Sequence, residues 1–159
     1  MLNFNYYGLL VPDTNIAITR DVFRQEFVEK IPSTLRRRHY EAYERYTEEL
    51  KSLCGDISLL QWIDGSFVTR KTDPQDIDLV TFIDHEIFSL LEEGLKPFKF
   101  PDVKEKFNVD AYLVPIYPAG HQKHFVGESD KAYWRDWFDK TRRNGRGNRH
   151  AKGFIEIIA

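Results

Sequence analysis

The sequence predicts one α/β domain, residues 1–159, built on a small mixed sheet with helices packed on one side. Three observations carry this. Leu35, His39, Ala42, Tyr43, Tyr46, Leu50 and Leu53 recur at three- and four-residue spacing, the period of a helix with one apolar face. Three β-branched and aromatic runs, 57–63, 76–82 and 107–116, are bounded by Gly, Pro and Asp, as short strands are. A chain of 159 residues suits a single core, since domains run to roughly 100–200 residues.

Taken in order, the chain opens irregularly around Pro12 and Asp13. Thr19 is placed to cap a helix through about Lys30, with Asp21 near its positive end, and Ile31-Pro32 interrupts it. Ser33 caps the long helix to about Leu53, whose opposite face carries Arg and Glu, and Gly55-Asp56 ends it. The strand over 57–63 breaks at Asp64-Gly65-Ser66. A polar loop, 69–75, leads to the strand over 76–82, where alternation puts Asp76, Asp78 and Val80 on one face. A helix over 85–94, a turn-rich link over 96–101, the strand over 107–116 holding Asp110, and an amphipathic helix over 133–142 follow. Phe154 to Ile158 reads as an edge strand.

Composition narrows the classes. With 42% hydrophobic, 14% aromatic and 30% charged residues, the chain has the side chains for a folded core, which excludes disorder. A formal net charge of -2 gives no global field for nucleic acid, so any basic surface has to be local. Cys54 is the one cysteine and lies at a helix end, where a structural role is expected; no Cys/His set has zinc spacing. Residues 1–18 lack Lys, Arg and a long apolar run, and no stretch nears the ~18 apolar residues of a membrane span, so a cytoplasmic protein without a membrane partner is expected.

The chemistry lies in Trp62-Ile63-Asp64-Gly65-Ser66-Phe67 and Asp73-Pro74-Gln75-Asp76-Ile77-Asp78-Leu79-Val80. Carboxylates two apart on a strand share a face, and magnesium or manganese takes hard oxygen ligands. Gly65 lets backbone approach a phosphate, and Ser66 has an amide and a hydroxyl to donate to it. In this order the residues resemble the DNA polymerase β-like nucleotidyltransferase superfamily, whose signature is a Gly-Ser turn after the first strand and an Asp-x-Asp pair on the second. The closest likeness is to minimal bacterial nucleotidyltransferases, some of which are antitoxins.

The resemblance implies a nucleotidyltransferase fold with Asp76, Asp78 and Asp110 as metal ligands and catalytic residues, and Gly65-Ser66 against the triphosphate tail of ATP or another nucleoside triphosphate. Asp110 would complete a metal site and accept the proton of the attacking hydroxyl. The acceptor implied is a macromolecule, a toxin-like protein or an RNA end. The strict motif covers only Gly65 to Asp78. Asp64 stands where many relatives have a first glycine, and Phe67-Val68-Thr69-Arg70 replaces their small residues. The retained carboxylates argue for an active enzyme; the alternatives are a partner-binding antitoxin without chemistry or an RNA-binding adaptor.

Lys71 and Arg70 are phosphate contacts or a solvated loop. Arg142, Arg143, Arg146, Arg149, His150 and Lys152 form an acid-free run among glycines, read as a flexible segment that closes over triphosphate, holds RNA or an acidic acceptor, or is merely solvated. His121 and His124 are read as surface residues. Tyr133, Trp134, Trp137 and Phe138 are spaced to pack into the core on one helical face, with base stacking as the alternative.

Overall fold

The computed structural model describes residues 2–159. The start of the chain is more regular than expected. β1 (Asn3–Phe4) pairs antiparallel with β2 (Leu10–Val11), and the Asn5 side-chain carbonyl accepts from the amides of Tyr7 and Leu9 to pin the turn between them. β3 (Asn15–Ala17) follows. The Thr19 hydroxyl accepts from the Val22 amide and caps α1 (Arg20–Arg24), which runs on into a wider π-type turn over Gln25–Glu29. α2 (Thr34–Leu53) has the predicted bounds: Ser33 Oγ accepts from the Arg36 amide at 3.2 Å, and left-handed Gly55 and Asp56 stop it.

The buried stripe of α2 keeps His39, Tyr43, Tyr46 and Leu50 of the predicted face, while Ala42 and Leu53 are half-buried. It runs through Arg36, His39, Tyr40, Tyr43, Tyr46, Thr47 and Leu50, whereas Leu35 is exposed. Arg36, expected on the solvent side, is thereby fully buried.

Four further strands complete the five-stranded sheet: β4 (Leu60–Asp64), β5 (Asp78–Asp84), β6 (Asp110–Ile116) and β7 (Phe154–Ile158). Their order is β3-β7-β4-β5-β6, parallel in the two outer pairs and antiparallel within, so the sheet is mixed as predicted. β7 is not an edge strand. It lies between β3 and β4 with Phe154, Ile155 and Ile157 buried, and its Glu156 carboxylate accepts from Trp62 Nε1 at 2.8 Å and Asn15 Nδ2 at 2.9 Å.

Alternation divides the sheet into two covered faces. Ile63, Leu79, Ile83, Ala111, Ile155 and Ile157 pack with the residues of α1, α2 and α4 (Asp102–Phe107). On this side Gln61 is fully buried yet satisfied, accepting from Tyr43 Oη at 2.8 Å and donating to Thr47 and Thr81. Trp62, Val80, Phe82, Val114 and Phe154 form the other face, covered by Phe138 and Trp134 of α5 (His124–Phe138). Helices thus flank both faces, not one. α5 also starts well before the predicted position, and α4, which the sequence does not predict, takes only Phe107 from the start of the predicted third strand before Asn108 closes it at φ 59°. Asp84 caps the short α3 (His85–Leu90) through the Glu86 and Ile87 amides. Among the described residues no helix is long and apolar enough to cross a membrane.

Candidate active site

The sheet topology brings the acidic residues to one edge. β5 runs antiparallel to β4 and parallel to β6, so the end of β4 and the starts of β5 and β6 coincide. Asp64 is the register partner of Asp78, and Asp78 that of Asp110. Asp76 lies two residues before β5, not within it as predicted, and joins the same cluster: its charge, with those of Asp64 and Asp110, bears on Asp78. Asp64, which the sequence presented as a departure from a glycine, is a fourth carboxylate.

Such crowding has an electrostatic consequence. Burial and then the three neighbouring carboxylates push the Asp78 carboxyl up to about 7, against a weaker pull from Arg142. Burial also pushes Asp64 up, while the Lys152 ammonium, its buried ion-pair partner, draws it back. Arg142 Nη2 is 3.6 Å from Asp78 Oδ1; Lys104 Nζ on α4 is 3.5 Å from Asp110 Oδ2 and 3.9 Å from Asp76 Oδ2. Asp110 Oδ1 is buried without a hydrogen-bond partner.

Gly65 is required by this packing. It has φ 76°, and a Cβ there would lie 1.8 Å from Asp78 Oδ2. Gly65→Ala must therefore strain the backbone and displace Asp78, at an expected cost of ~2 kcal/mol or more. Gly145→Ala, with nothing within 4 Å of the added carbon, is the control and should leave the melting temperature unchanged. Equal melting temperatures for the two variants would contradict the close approach.

α2 holds the loop that joins Ser66 to Asp76. The Arg36 guanidinium, fully buried, donates to the carbonyls of Phe27, Phe67, Thr69 and Lys71 at 2.5–3.0 Å. His39 Nε2 meets the Pro74 carbonyl at 3.2 Å, and Ser33 Oγ donates to Asp73 at 2.6 Å. The loop is thereby tied along its length to a rigid helix.

The cluster opens onto a cleft of about 640 Å³ whose wall includes Gly65, Ser66, Lys71, Asp76, Asp78, Arg142, Arg143, Arg149 and Lys152. Its basic side is a hydrogen-bonded hairpin. Lys140 bridges to Ala151, the Thr141 amide donates to the His150 carbonyl at 2.8 Å, and the Asn144 amide to that of Asn148 at 2.9 Å.

Over residues 2–158 the sequence matches a family described as "Family of unknown function (DUF6932)". The chain belongs to this family. No curated protein and no solved structure matches it.

In this DUF6932 chain most of the sequence candidates meet at one place. Gly65, Ser66, Lys71, Asp76, Asp78, Arg142 and Arg143 line the cleft. Asp110 is nearly buried beside Asp78 and is not part of its wall. Arg146 is outside: it sits in the exposed hairpin turn, where its amide donates to Asn144 Oδ1. Arg70 lies over the Phe4 ring at 4.1 Å, and the His150 ring lies 5.0 Å from that of Tyr7. Sequence reasoning missed Asp64, Lys104 and Arg36. Asp64 alone had a signal, its position next to the Gly-Ser turn.

The donors suit a hard divalent cation. Oxygen is the only ligand type in the cluster, Asp110 Oδ1 lacks a partner, and Asp78 is held against like charges that a cation would relieve. In the present arrangement Lys104 and Arg142 supply that compensation, and among the described residues no three His, Cys, Asp or Glu side chains are grouped to hold one ion.

Proposed function

We propose that the protein is a nucleotidyltransferase that moves a nucleoside monophosphate from ATP or another nucleoside triphosphate to a hydroxyl on a protein or RNA. The observation that carries this reading is the register of Asp64, Asp78 and Asp110 on adjacent strands, with Asp76 beside them, at the mouth of a basic-walled cleft. It agrees with the resemblance of the Gly65 to Asp78 motif to polymerase β-like nucleotidyltransferases. Asp76, Asp78 and Asp110 would hold magnesium or manganese. When bound, such ions neutralise the polyphosphate and position the attacking and leaving oxygens.

The chain's own groups do the rest. Gly65 and Ser66 receive phosphate oxygens at the turn, and Lys71, Arg142, Arg143 and Arg149 offset the charge of the tail. The acceptor oxygen attacks the α-phosphorus, the bond from that phosphorus to the bridging oxygen breaks, and pyrophosphate leaves. The resemblance assigns the acceptor's proton to Asp110, whose Oδ1 has no partner beside Asp78.

An open cleft bounded by one hairpin positions a small acceptor poorly, and positioning is most of what a protein contributes to this chemistry. A macromolecular acceptor would supply the missing wall, in the cytoplasm and, for a toxin-like protein acceptor, as an antitoxin. Intact mass spectrometry after incubation with ATP, magnesium and a candidate partner should show one added nucleoside monophosphate on protein or RNA. Rapid turnover of small molecules by the chain alone would overturn the macromolecular assignment.

The hairpin divides the arginines into two groups. Replacing Arg142, Arg143 and Arg149 together by Ala should weaken ATP binding at least tenfold and flatten its salt dependence, since three cations leave the cleft wall. Arg146→Ala should change neither. Equal effects on titration calorimetry would return the whole run to the status of a solvated loop.

A further inference from the structure

On α5, Trp134 and Phe138 are absorbed by packing. Trp134 lies 4.7 Å from Tyr112 and 5.5 Å from Phe138, and Phe138 lies 5.8 Å from Phe154. Trp137, about 100° around the helix from Phe138, is turned away from that cluster. It is 46% exposed, and among the described residues it makes no aromatic or cation–π contact. The spacing of the four aromatics predicts core packing for it, yet it lies on the wall of the cleft that holds Ser66 and Asp78. Among the described residues it is the one aromatic side chain on that wall.

We infer that Trp137 is the platform on which the base of the bound nucleotide stacks, and that the protein favours purine nucleoside triphosphates. This rests on the proposed triphosphate site. With the tail at Gly65-Ser66 and the carboxylates, a nucleotide still has a flat apolar ring to bury, and a cleft of about 640 Å³ has room for it. A half-exposed indole offers the matching face. Every base can stack on such a face, and the larger ring of a purine overlaps more of it than a pyrimidine does. Leu9 lines the same cleft and adds apolar surface.

The test uses the full chain with magnesium and three probes: ATP, CTP and inorganic tripolyphosphate, followed by titration calorimetry and tryptophan emission. ATP should quench the emission of the parent and bind more tightly than CTP, and tripolyphosphate should bind without quenching. Trp137→Ala should weaken ATP about tenfold and leave tripolyphosphate unchanged, and Trp137→Phe should keep most of the affinity but lose the quenching. ATP binding as tight in Trp137→Ala as in the parent overturns the platform while the triphosphate site stands. No binding of either ATP or tripolyphosphate to the parent overturns the triphosphate site, and the platform with it.

Discussion

Asp78→Asn is expected to raise the melting temperature of the metal-free chain at pH 8 and to abolish any response to magnesium. The folded protein holds the Asp78 carboxyl at about 7, against about 4 in an unfolded chain. Folding therefore favours the protonated form. Stability from this group is complete below about pH 4 and is lost as pH rises from there through about 7, the window in which the folded state alone holds the proton. The penalty at pH 8 is on the order of 2–4 kcal/mol, and asparagine removes it, so a gain of roughly 5–15 °C is expected in a domain of this size. At pH 4 the two chains should melt together.

Magnesium should stabilise the parent more strongly as pH rises, because the ligand must be deprotonated. Asp76→Asn should lose the same response and, with Asp78→Asn, any nucleotide transfer, by a factor of ~10³ or more. A lower melting temperature for Asp78→Asn at pH 8 would contradict the crowding of the carboxylates. Transfer at the parent rate by either variant would remove them from the chemistry.

Arg36→Met is expected to be the most damaging single change away from the acidic edge. The guanidinium has no buried carboxylate partner; burial, and the repulsion of Arg70, press its pKa down to about 10, so at neutral pH it is still charged. Backbone carbonyls of Phe27, Phe67, Thr69 and Lys71 replace its water, and the ring of Phe67 lies 5.0 Å beneath it. Methionine fills part of the volume and leaves these buried acceptors unpaired, at ~1–3 kcal/mol each where water cannot reach. Urea unfolding should show a loss of ~4 kcal/mol, and the loop from Phe67 to Lys71 should become accessible to protease. Arg36→Lys should also be destabilised, since a single ammonium cannot span the same carbonyls. A loss under about 1 kcal/mol for Arg36→Met would show that the loop is held by other contacts.

How far the sequence disclosed this site depended on whether each residue had a local signature. Thr19 and Ser33 cap their helices as polar residues ahead of an apolar period do, and Gly55-Asp56 stops α2 because left-handed backbone ends a helix. Gly65, Asp76 and Asp78 were legible for the same reason: turn and strand chemistry is written in neighbouring residues. Asp64 adjoins them, but its place where relatives carry a glycine hides its part in the cluster. β7 was legible as a strand but not as an interior one, since its place depends on β3 and β4 pairing from opposite sides.

Long-range compensation left no such trace. Arg36 resembles any other arginine on a helix until the loop 31–35 residues away is folded over it. Lys104 belongs to α4, whose six residues are too few for a helical period to stand out. The basic hairpin read as flexible because glycine and asparagine are common to loose segments and tight turns alike, and its cross-strand hydrogen bonds depend on conformation. Spacing alone places Trp137 in the core. Its neighbour Phe138 meets the sheet and Trp137 does not, a difference of one helical step.

If this acidic edge directs nucleotidyl transfer, the fate of a radioactive phosphate will show it. The protein is incubated with magnesium, cell extract and ATP labelled at either the α- or the γ-phosphate, and macromolecules are separated from small ones. The α-label should move onto a protein or RNA and the γ-label should appear in pyrophosphate, with both transfers absent in Asp76→Asn and Asp78→Asn. A γ-label on the macromolecule, α-transfer unchanged in these variants, or no transfer from either position would contradict the claim.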